Sequence, residues 1–238
     1  IKHKTVLTYG LGESILAERI SDWEDALPNY IKLAYLPNLG KVRLRLSAKG
    51  DDETKVNAEV ERQIEAVLPL IQDVFVGFEE KNETLEVLLG KELTKRNLTL
   101  ATAESCTGGL LAALFTEFAG SSKVLERGFV TYSNAAKAEV LGVAGDVLAD
   151  YGAVSEPVAR LMAEGAMEQS RANLAISITG IAGPGGGTPM KPVGTVHIAC
   201  ARENQAMTHE MLTLGDIGRY EVRMQTLEAA LNMIRAQI

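Results

Sequence analysis

The sequence predicts an α/β protein in which a three-layer α/β/α domain follows a small α+β domain. From about residue 84 onward, strand-like and helix-like patterns alternate, which is typical of a sheet covered by helices on both faces. Before that point, short strands mix with amphipathic helices. The polar run Glu79–Asn82 separates the two regions, so we expect domains at 1–80 and 81–238.

The first domain contains one alternating segment and one clearly amphipathic helix. In Lys41–Ala48, apolar and polar residues alternate as in a half-buried antiparallel strand. In Asp52–Leu70, valine and isoleucine recur at helical spacing and leave a charged outer face. Pro37–Gly40 has the composition of a hairpin turn. The other elements predicted here are strands at Thr5–Tyr9 and Tyr30–Tyr35 and a helix around Glu13–Trp23.

The second domain is predicted to contain five strands and five helices. Ser155, followed by Glu156 and Pro157, has the chemistry of a helix N-cap and first turn, so it should open a helix that runs to about Ser170. The predicted strands are Leu98–Ala103, Gly128–Ser133, Leu174–Thr179, Gly194–Ala201 and Met207–Leu214, and the other helices are Thr84–Arg96, Gly108–Phe118, Asn134–Leu141 and Arg219–Ala236.

Composition and charge exclude several functional classes. The chain is 46% hydrophobic and 23% charged, and no apolar run approaches the roughly 18 residues that a membrane helix needs. A net charge of -7 argues against broad binding to nucleic acid or anionic membranes. We therefore expect a cytoplasmic protein without membrane or nucleic-acid partners. Because the chain opens with Ile1 in a strand-like segment, we also expect it to be a fragment.

The cysteines and histidines do not form a metal-binding pattern. Neither residue type shows the spacing of a zinc site, so we expect no structural zinc, and no motif calls for a cofactor. The residues concerned are Cys106, Cys200, His3, His197 and His209.

The segment TAESCTGG carries the candidate nucleophile, Ser105. It lies where a strand stops and a helix is about to begin, so the amides of Cys106, Thr107 and Gly108 should point outward and favour an anion. Gly108 and Gly109 would let a ligand approach the backbone. A serine at such a turn is also an ordinary N-cap. The thiol of Cys106 competes as nucleophile, because a helix start lowers the pKa of a thiol.

A serine hydroxyl needs a base, and the segment GFVTYSNAAK offers two. Tyr132 lies at a strand end and Lys137 in the following helix, with Asn134 between them. A desolvated lysine or a tyrosine can activate serine where no histidine is in place. The alternatives are a solvated helix lysine and an aromatic at the rim of the core.

Two later segments complete the candidate site. Thr179 and Gly180 end a strand that runs into a long Gly/Pro loop containing Gly183, and loops of this size are often functional, although a disordered surface loop has the same composition. Arg219 and Arg223 are spaced i,i+4 at the start of the last helix, which suits bidentate contact with phosphate. Two exposed arginines would have the same spacing.

Five segments in one order and spacing resemble the C-terminal domain of the CinA family, the nicotinamide mononucleotide deamidase also called PncC. They are TAESCTGG, GFVTYSNAAK, GAVSEP, GIAGPGGG and KPVGTV, and the likeness spans about residues 84–238. Residues 1–80 look like the KH-like middle domain of full-length members. The family's amino-terminal MoaB-like domain, which is linked to ADP-ribose pyrophosphatase activity, has no counterpart in this sequence, so we do not expect that activity.

The resemblance implies hydrolysis of the carboxamide of nicotinamide mononucleotide to nicotinate mononucleotide and ammonia, in pyridine-nucleotide salvage. It places the family's catalytic residues at Ser105, Tyr132 and Lys137, with Ser105 as nucleophile, Lys137 as proton acceptor and Tyr132 as an orienting group. It also implies a homo-oligomer, expected to be a dimer. The pattern and the resemblance together predict these substrate-binding residues: Cys106, Thr107, Gly108, Gly109, Asn134, Thr179, Gly180, Gly183, Arg219 and Arg223.

Two departures from the family pattern are visible. Members often read GDR where this chain has Gly215–Arg219, GDIGR, which leaves the phosphate contact open between Arg219 and Arg223. Ala135 stands where related sequences often carry Glu.

A second hypothesis is a nucleotide-binding regulatory or scaffold protein without turnover, serving competence or DNA-repair partners through residues 1–80. The absence of a GxxG loop weakens any claim of this region to single-stranded nucleic acid.

Overall fold

The structure is a computed structural model that describes residues 1–38, 41–79 and 84–238. The chain forms two compact units, Ile1–Leu88 and Leu89–Ile238. The predicted hairpin tip at Leu39 and Gly40 lies outside the described residues. The predicted domain boundary near residue 80 also lies outside them.

The first unit is a four-stranded antiparallel sheet packed against two helices, with strand order β2-β3-β1-β4. Every second residue of β3 is buried, which confirms the predicted alternation, because the helices cover one face of the sheet. The strands are β1 (Lys2–Tyr9), β2 (Ile31–Asn38), β3 (Lys41–Ala48) and β4 (Phe75–Phe78), and the helices are α1 (Glu13–Asp25) and α2 (Glu53–Val67).

The second unit contains a five-stranded sheet of order β6-β5-β7-β8-β9. The strands are β5 (Leu100–Glu104), β6 (Leu125–Val130), β7 (Leu174–Gly180), β8 (Thr195–Arg202) and β9 (Thr208–Thr213). Both β6 and β7 run parallel to β5, and Glu104 is paired with Val130 on one side and Ile178 on the other. The residues that follow these three strands therefore meet at one edge of the sheet, where open α/β sheets bind ligands.

Helices cover both faces of this sheet, as the alternating pattern predicts. Alanines of β5 and β7 form an apolar core with α5, α6 and α7, while α8 packs against β7 and β8. The helices are α3 (Leu85–Lys95), α4 (Leu110–Leu114), α5 (Asn134–Leu141), α6 (Gly145–Tyr151), α7 (Glu156–Glu168) and α8 (Arg219–Ala236). Among the described residues, no helix is both long enough and apolar enough to cross a membrane.

Several local predictions are wrong. The helix predicted at Gly108–Phe118 is the single turn of α4, because left-handed glycines at 108 and 109 delay its start. The strand predicted at Gly128–Ser133 ends at Val130, since the chain turns there into α5. The prediction that Ser155 opens a helix is confirmed, because it is the N-cap residue of α7, but its hydroxyl donates to the Gly152 carbonyl and caps no amide. Neither β4 nor α6 was predicted.

Candidate active site

Ser105 lies on a tight turn directly after β5. Its amide donates to the Ile178 carbonyl at 3.0 Å, which extends the ladder to β7 by one residue, and its carbonyl accepts the Gly108 amide at 3.0 Å. The turn continues through Gly108 and Gly109, with φ of 65° and 94°. Glycine adopts this left-handed conformation without strain, so the two residues allow the chain to reverse immediately after Ser105.

Lys137 is the only lysine among the described residues that is buried, with 1% of its surface exposed. Helix α5 begins four residues after β6, with Ser133 as its N-cap, and this directs Lys137 back toward the strand ends. The Lys137 Nζ lies 3.0 Å from the Ser105 Oγ, 2.9 Å from the Thr131 carbonyl oxygen and 3.5 Å from the Tyr132 carbonyl oxygen.

The surroundings of Lys137 favour the neutral amine. Burial lowers the pKa of Lys137, and among the described residues no carboxylate forms an ion pair with it. A neutral amine has two N–H donors and one lone pair. The two neighbouring carbonyls can accept the N–H groups, which leaves the lone pair to accept the hydroxyl hydrogen of Ser105. The arrangement is therefore suited to removing a proton from Ser105.

Cys106 also faces the cavity beside Ser105, but its environment suppresses the thiolate. Burial raises the pKa of the Cys106 thiol to about 11. The expectation of a lowered thiol pKa at a helix start is wrong here, because α4 begins only at Leu110 and a buried carboxylate, that of Glu104, already occupies the helix start. The geometry thus favours the serine as the nucleophile.

The backbone amides at this turn do not all point outward, as the sequence analysis predicted they would. The Gly108 amide does not point outward, since it is bonded to the Ser105 carbonyl. The amides of Cys106 and Thr107 have no backbone acceptor among the described residues. The sequence analysis did not assign a role to Glu104, whose carboxylate accepts three amides of the same turn. The sequence did contain a signal for this role, because Glu104 is an acidic residue directly before the candidate nucleophile at a strand end.

A cavity of about 260 Å³ opens beside the Ser105–Lys137 pair. Arg219 lies at its rim and donates to the Gly183 carbonyl at 2.8 Å and to the Tyr132 hydroxyl at 3.0 Å. Tyr132 is 60% exposed, and its phenol contacts Arg219 rather than Lys137. The Thr179 hydroxyl donates to the Ala153 carbonyl at 2.7 Å, which ties the segment before α7 to the cavity wall.

The structure brings most of the predicted site residues together. Those that line the cavity are Ser105, Cys106, Tyr132, Lys137, Thr179, Gly180, Gly183 and Arg219. The predicted residues outside the lining are Thr107, Gly108, Gly109, Asn134 and Arg223. Arg223 instead donates to the Thr107 carbonyl at 2.9 Å, so it supports the turn from behind. Gly185 and Gly186 of the Gly/Pro loop also line the cavity, as the functional interpretation of that loop predicts, and so do four residues not predicted as site residues: Ala153, Val154, Ile181 and Ala182.

The fold and the site define a two-unit α/β protein with a buried serine–lysine pair at the ends of parallel strands. Two family models match the chain: the CinA C-terminal domain at residues 82–238 and the damage-inducible protein CinA KH domain at residues 3–77. The chain therefore belongs to the CinA family, and the resemblance found in the sequence is confirmed.

The chain is also similar to curated relatives and to solved structures. CinA-like proteins from Cytophaga hutchinsonii and Flavobacterium psychrophilum are 46% and 47% identical over the whole chain, which spans 56% of the length of each. The crystal structure of a competence/damage-inducible protein from Agrobacterium tumefaciens is 51% identical, with a TM-score of 0.63 over 64% of this chain and 92% of that one. An Escherichia coli CinA superfamily structure is 35% identical, with a TM-score of 0.61 over 65% of this chain and 88% of that one.

Proposed function

We propose that this chain is an amidohydrolase that converts nicotinamide mononucleotide and water to nicotinate mononucleotide and ammonia. The observation that carries the proposal is the buried Lys137 amine, 3.0 Å from the Ser105 hydroxyl and free of any carboxylate partner among the described residues. The motifs shared with the deamidase domain of the CinA family support the choice of substrate.

In the proposed first half-reaction, the Ser105 Oγ forms a bond to the carboxamide carbon while its proton passes to the Lys137 Nζ. The carbonyl oxygen becomes an oxyanion, for which the amide of Cys106, a cavity-lining residue without a backbone acceptor for its amide, is the proposed donor. When the C–N bond breaks, the Lys137 ammonium gives its proton to the leaving nitrogen, which departs as ammonia. An acyl ester on Ser105 remains.

The second half-reaction reverses these roles. Water attacks the ester carbon and gives a proton to Lys137, and Lys137 returns that proton to the Ser105 Oγ as the ester bond breaks. The product acid ionises to nicotinate mononucleotide in water, and the neutral pair is restored. Nothing else in the cycle needs to accept or supply a proton.

Arg219 is the proposed contact for the substrate phosphate. Its guanidinium lies at the rim of the cavity and has five donors, of which the structure uses two on Gly183 and Tyr132. Arg223 does not line the cavity. Arginine binds phosphate through paired, charge-assisted hydrogen bonds. The proposal therefore assigns the phosphate to Arg219 and leaves Arg223 as a support of the turn after Ser105.

Ammonia release from nicotinamide mononucleotide tests the proposed reaction. We expect Ser105→Ala to lower kcat by about a thousandfold or more, since nucleophiles act as part of a unit, and Cys106→Ala to keep most of the activity. If Ser105→Ala keeps wild-type turnover and Cys106→Ala abolishes it, the enzyme uses a thiol. If wild-type protein binds the mononucleotide tightly in calorimetry but releases no ammonia, the chain is a non-catalytic nucleotide-binding protein.

A comparison of nicotinamide riboside with the mononucleotide tests the phosphate contact. Arg219→Ala should raise KM for the mononucleotide about tenfold, because it removes charge-assisted hydrogen bonds, and should leave the weaker reaction of the riboside unchanged. Arg171→Ala, at an exposed arginine that does not line the cavity, is the matched control and should leave both KM values unchanged. An equal KM change for both substrates would contradict the assignment.

A further inference from the structure

Glu104 is a fully buried carboxylate placed one residue before the proposed nucleophile. It ends β5, its exposed surface is 0%, and among the described residues no lysine or arginine lies within ion-pair distance of it. An unpaired buried carboxylate is costly unless hydrogen bonds compensate for the lost hydration. The groups that donate hydrogen bonds to Glu104 therefore show which part of the fold this carboxylate stabilises.

The partners of this carboxylate are backbone amides of the turn that follows Ser105. One oxygen accepts the amides of Gly109 and Leu111, both at 3.0 Å, and the other accepts the amide of Ala112 at 2.8 Å. Charge-assisted bonds of this kind are stronger than neutral ones, and a negative charge is favoured at a helix start. Helix α4 has five residues, too few to be stable alone, so the carboxylate holds its first turn in place.

This clamp also determines which amides remain open beside the nucleophile. The Ser105 and Gly108 amides are bonded to backbone carbonyls, and those of Gly109, Leu111 and Ala112 to Glu104, while Leu110 donates weakly to Thr107 at 3.4 Å. Only the amides of Cys106 and Thr107 keep no acceptor among the described part of the turn. Of these two, Cys106 lines the cavity, so its amide is the donor nearest to where the proposed oxyanion forms.

We propose that Glu104 is a positioning residue for the reaction: by binding three amides of the turn, it fixes Ser105 and Cys106, which both line the cavity, in place. This inference rests on the proposed function, since it assigns Glu104 a role in that chemistry. Glu104 itself does not line the cavity, so it acts through the turn and not on the substrate. Its loss should therefore lower kcat and leave KM nearly unchanged.

Two variants of Glu104 and one matched control test the role. Glu104→Ala removes all three bonds and should lower kcat about a hundredfold, because small misplacements of reacting groups are costly. Glu104→Gln keeps one oxygen, which can accept two of the three amides, and should lower kcat about tenfold, with KM within about twofold of wild type in both variants. Ser177→Ala removes another buried hydrogen bond from the neighbouring strand, to the Ala159 carbonyl of α7, and should keep wild-type kcat.

Hydrogen exchange of the peptide covering residues 105–112 separates the two proposals. We expect faster amide exchange there in Glu104→Gln than in wild type, and no change there in Ser177→Ala.

If wild-type protein releases no ammonia from nicotinamide mononucleotide, the proposed function fails and, with it, the catalytic role of Glu104, although the exchange result still measures the clamp. If wild-type protein is active while Glu104→Gln and Glu104→Ala keep its kcat and its exchange rates, the inference about Glu104 alone is overturned. Equal losses of kcat in Glu104→Ala and Ser177→Ala would also overturn it, since they would show a general loss of folding.

Discussion

The two units of the chain differ in the partners that surround a buried ionisable side chain. In the first unit, Glu79 has 11% of its side chain exposed and lies between Arg43 and Arg45, with N–O distances of 2.9 and 3.5 Å. In the second unit, Lys137 is 1% exposed and has a hydroxyl and carbonyls as its neighbours, with no ion pair in the described part of the chain. Each unit has its own sheet.

This contrast separates a structural role from a functional one. Burial by itself would raise the pKa of Glu79, but hydrogen bonds and charge from Arg43 and Arg45 outweigh it and lower the pKa, so the ionised pair belongs to the folded state. Burial lowers the pKa of Lys137 by more than the neighbouring Cys106 raises it, and no carboxylate among the described residues forms an ion pair with the amine. An ionisable group that lines a cavity with a shifted pKa and no ion-pair partner is typical of an active site.

The largest effect should follow from removing the amine while keeping the shape of the side chain. Lys137→Met should lower kcat for ammonia release about a thousandfold or more, since Ser105 loses its proton acceptor. Lys123→Met, at an exposed lysine of the same unit, is the matched control and should keep full activity. Retained activity in Lys137→Met would show that another group activates the serine.

The same substitution should stabilise the second unit. The unfolded chain keeps Lys137 protonated up to a pKa of about 10.4, whereas the folded pKa is lower, so the unfolded state binds the extra proton between the two values. Wild-type stability therefore rises with pH through that window. We expect Lys137→Met to raise the free energy of unfolding by about 1 kcal/mol at pH 7 and by less near pH 10, measured by urea denaturation followed by circular dichroism. A loss of stability at pH 7 would contradict the view that burial of this amine is costly.

In the first unit, removing the buried charge is expected to lower the free energy of unfolding instead of raising it. Glu79→Gln leaves Arg43 and Arg45 without their carboxylate and should lower the free energy of unfolding by about 1 kcal/mol at pH 7, without a change in kcat. Because the folded pKa of Glu79 is lowered, its stabilisation is present above the unfolded value of about 4.3 and is lost as pH falls through the folded value.

Trp23 provides a local probe for this measurement. It is the chain's one tryptophan and is buried in the core of the first unit, so its fluorescence reports unfolding there. Glu18→Gln, at an exposed position of α1, is the matched control and should leave the transition unchanged. A Glu79→Gln transition that coincides with wild type at pH 7 would show that the ion pairs do not stabilise this unit.

Helices whose ends are set by local chemistry could be predicted from the sequence. The bounds of α5 agree with the prediction, because Ser133 caps its start and Gly142 adopts a left-handed conformation at its end. The bounds of α4 do not, because Gly108 and Gly109 adopt left-handed conformations before it and its first amides bind the Glu104 side chain, and helix propensity includes neither effect. The strand β4 was missed because four residues containing a glycine form a strand only through pairing with β1.

Prediction of the candidate site is limited in the same way, because contacts between distant residues depend on the fold. The sequence named Ser105 and Lys137 as residue types suited to the chemistry, but they are 32 residues apart in the chain, and spacing alone does not make them neighbours. Their contact follows from the parallel register of β5 and β6, which places Glu104 opposite Val130 and so brings the following residues together. The residue pattern alone left Ser105 and Cys106 as alternatives; the family resemblance favoured Ser105, and burial, which raises the pKa of the Cys106 thiol, supports the same choice.

The pH dependence of kcat tests most directly the central claim that Lys137 acts as a neutral base. At saturating substrate, kcat reports the enzyme–substrate complex, and the neutral fraction of Lys137 increases with pH. Because burial lowers the pKa of Lys137, we predict that kcat rises by about tenfold per pH unit on the acidic side and reaches a plateau below the ordinary lysine value of about 10.4. A kcat that stays flat from about pH 5 to 9 would contradict the assignment of Lys137 as the base.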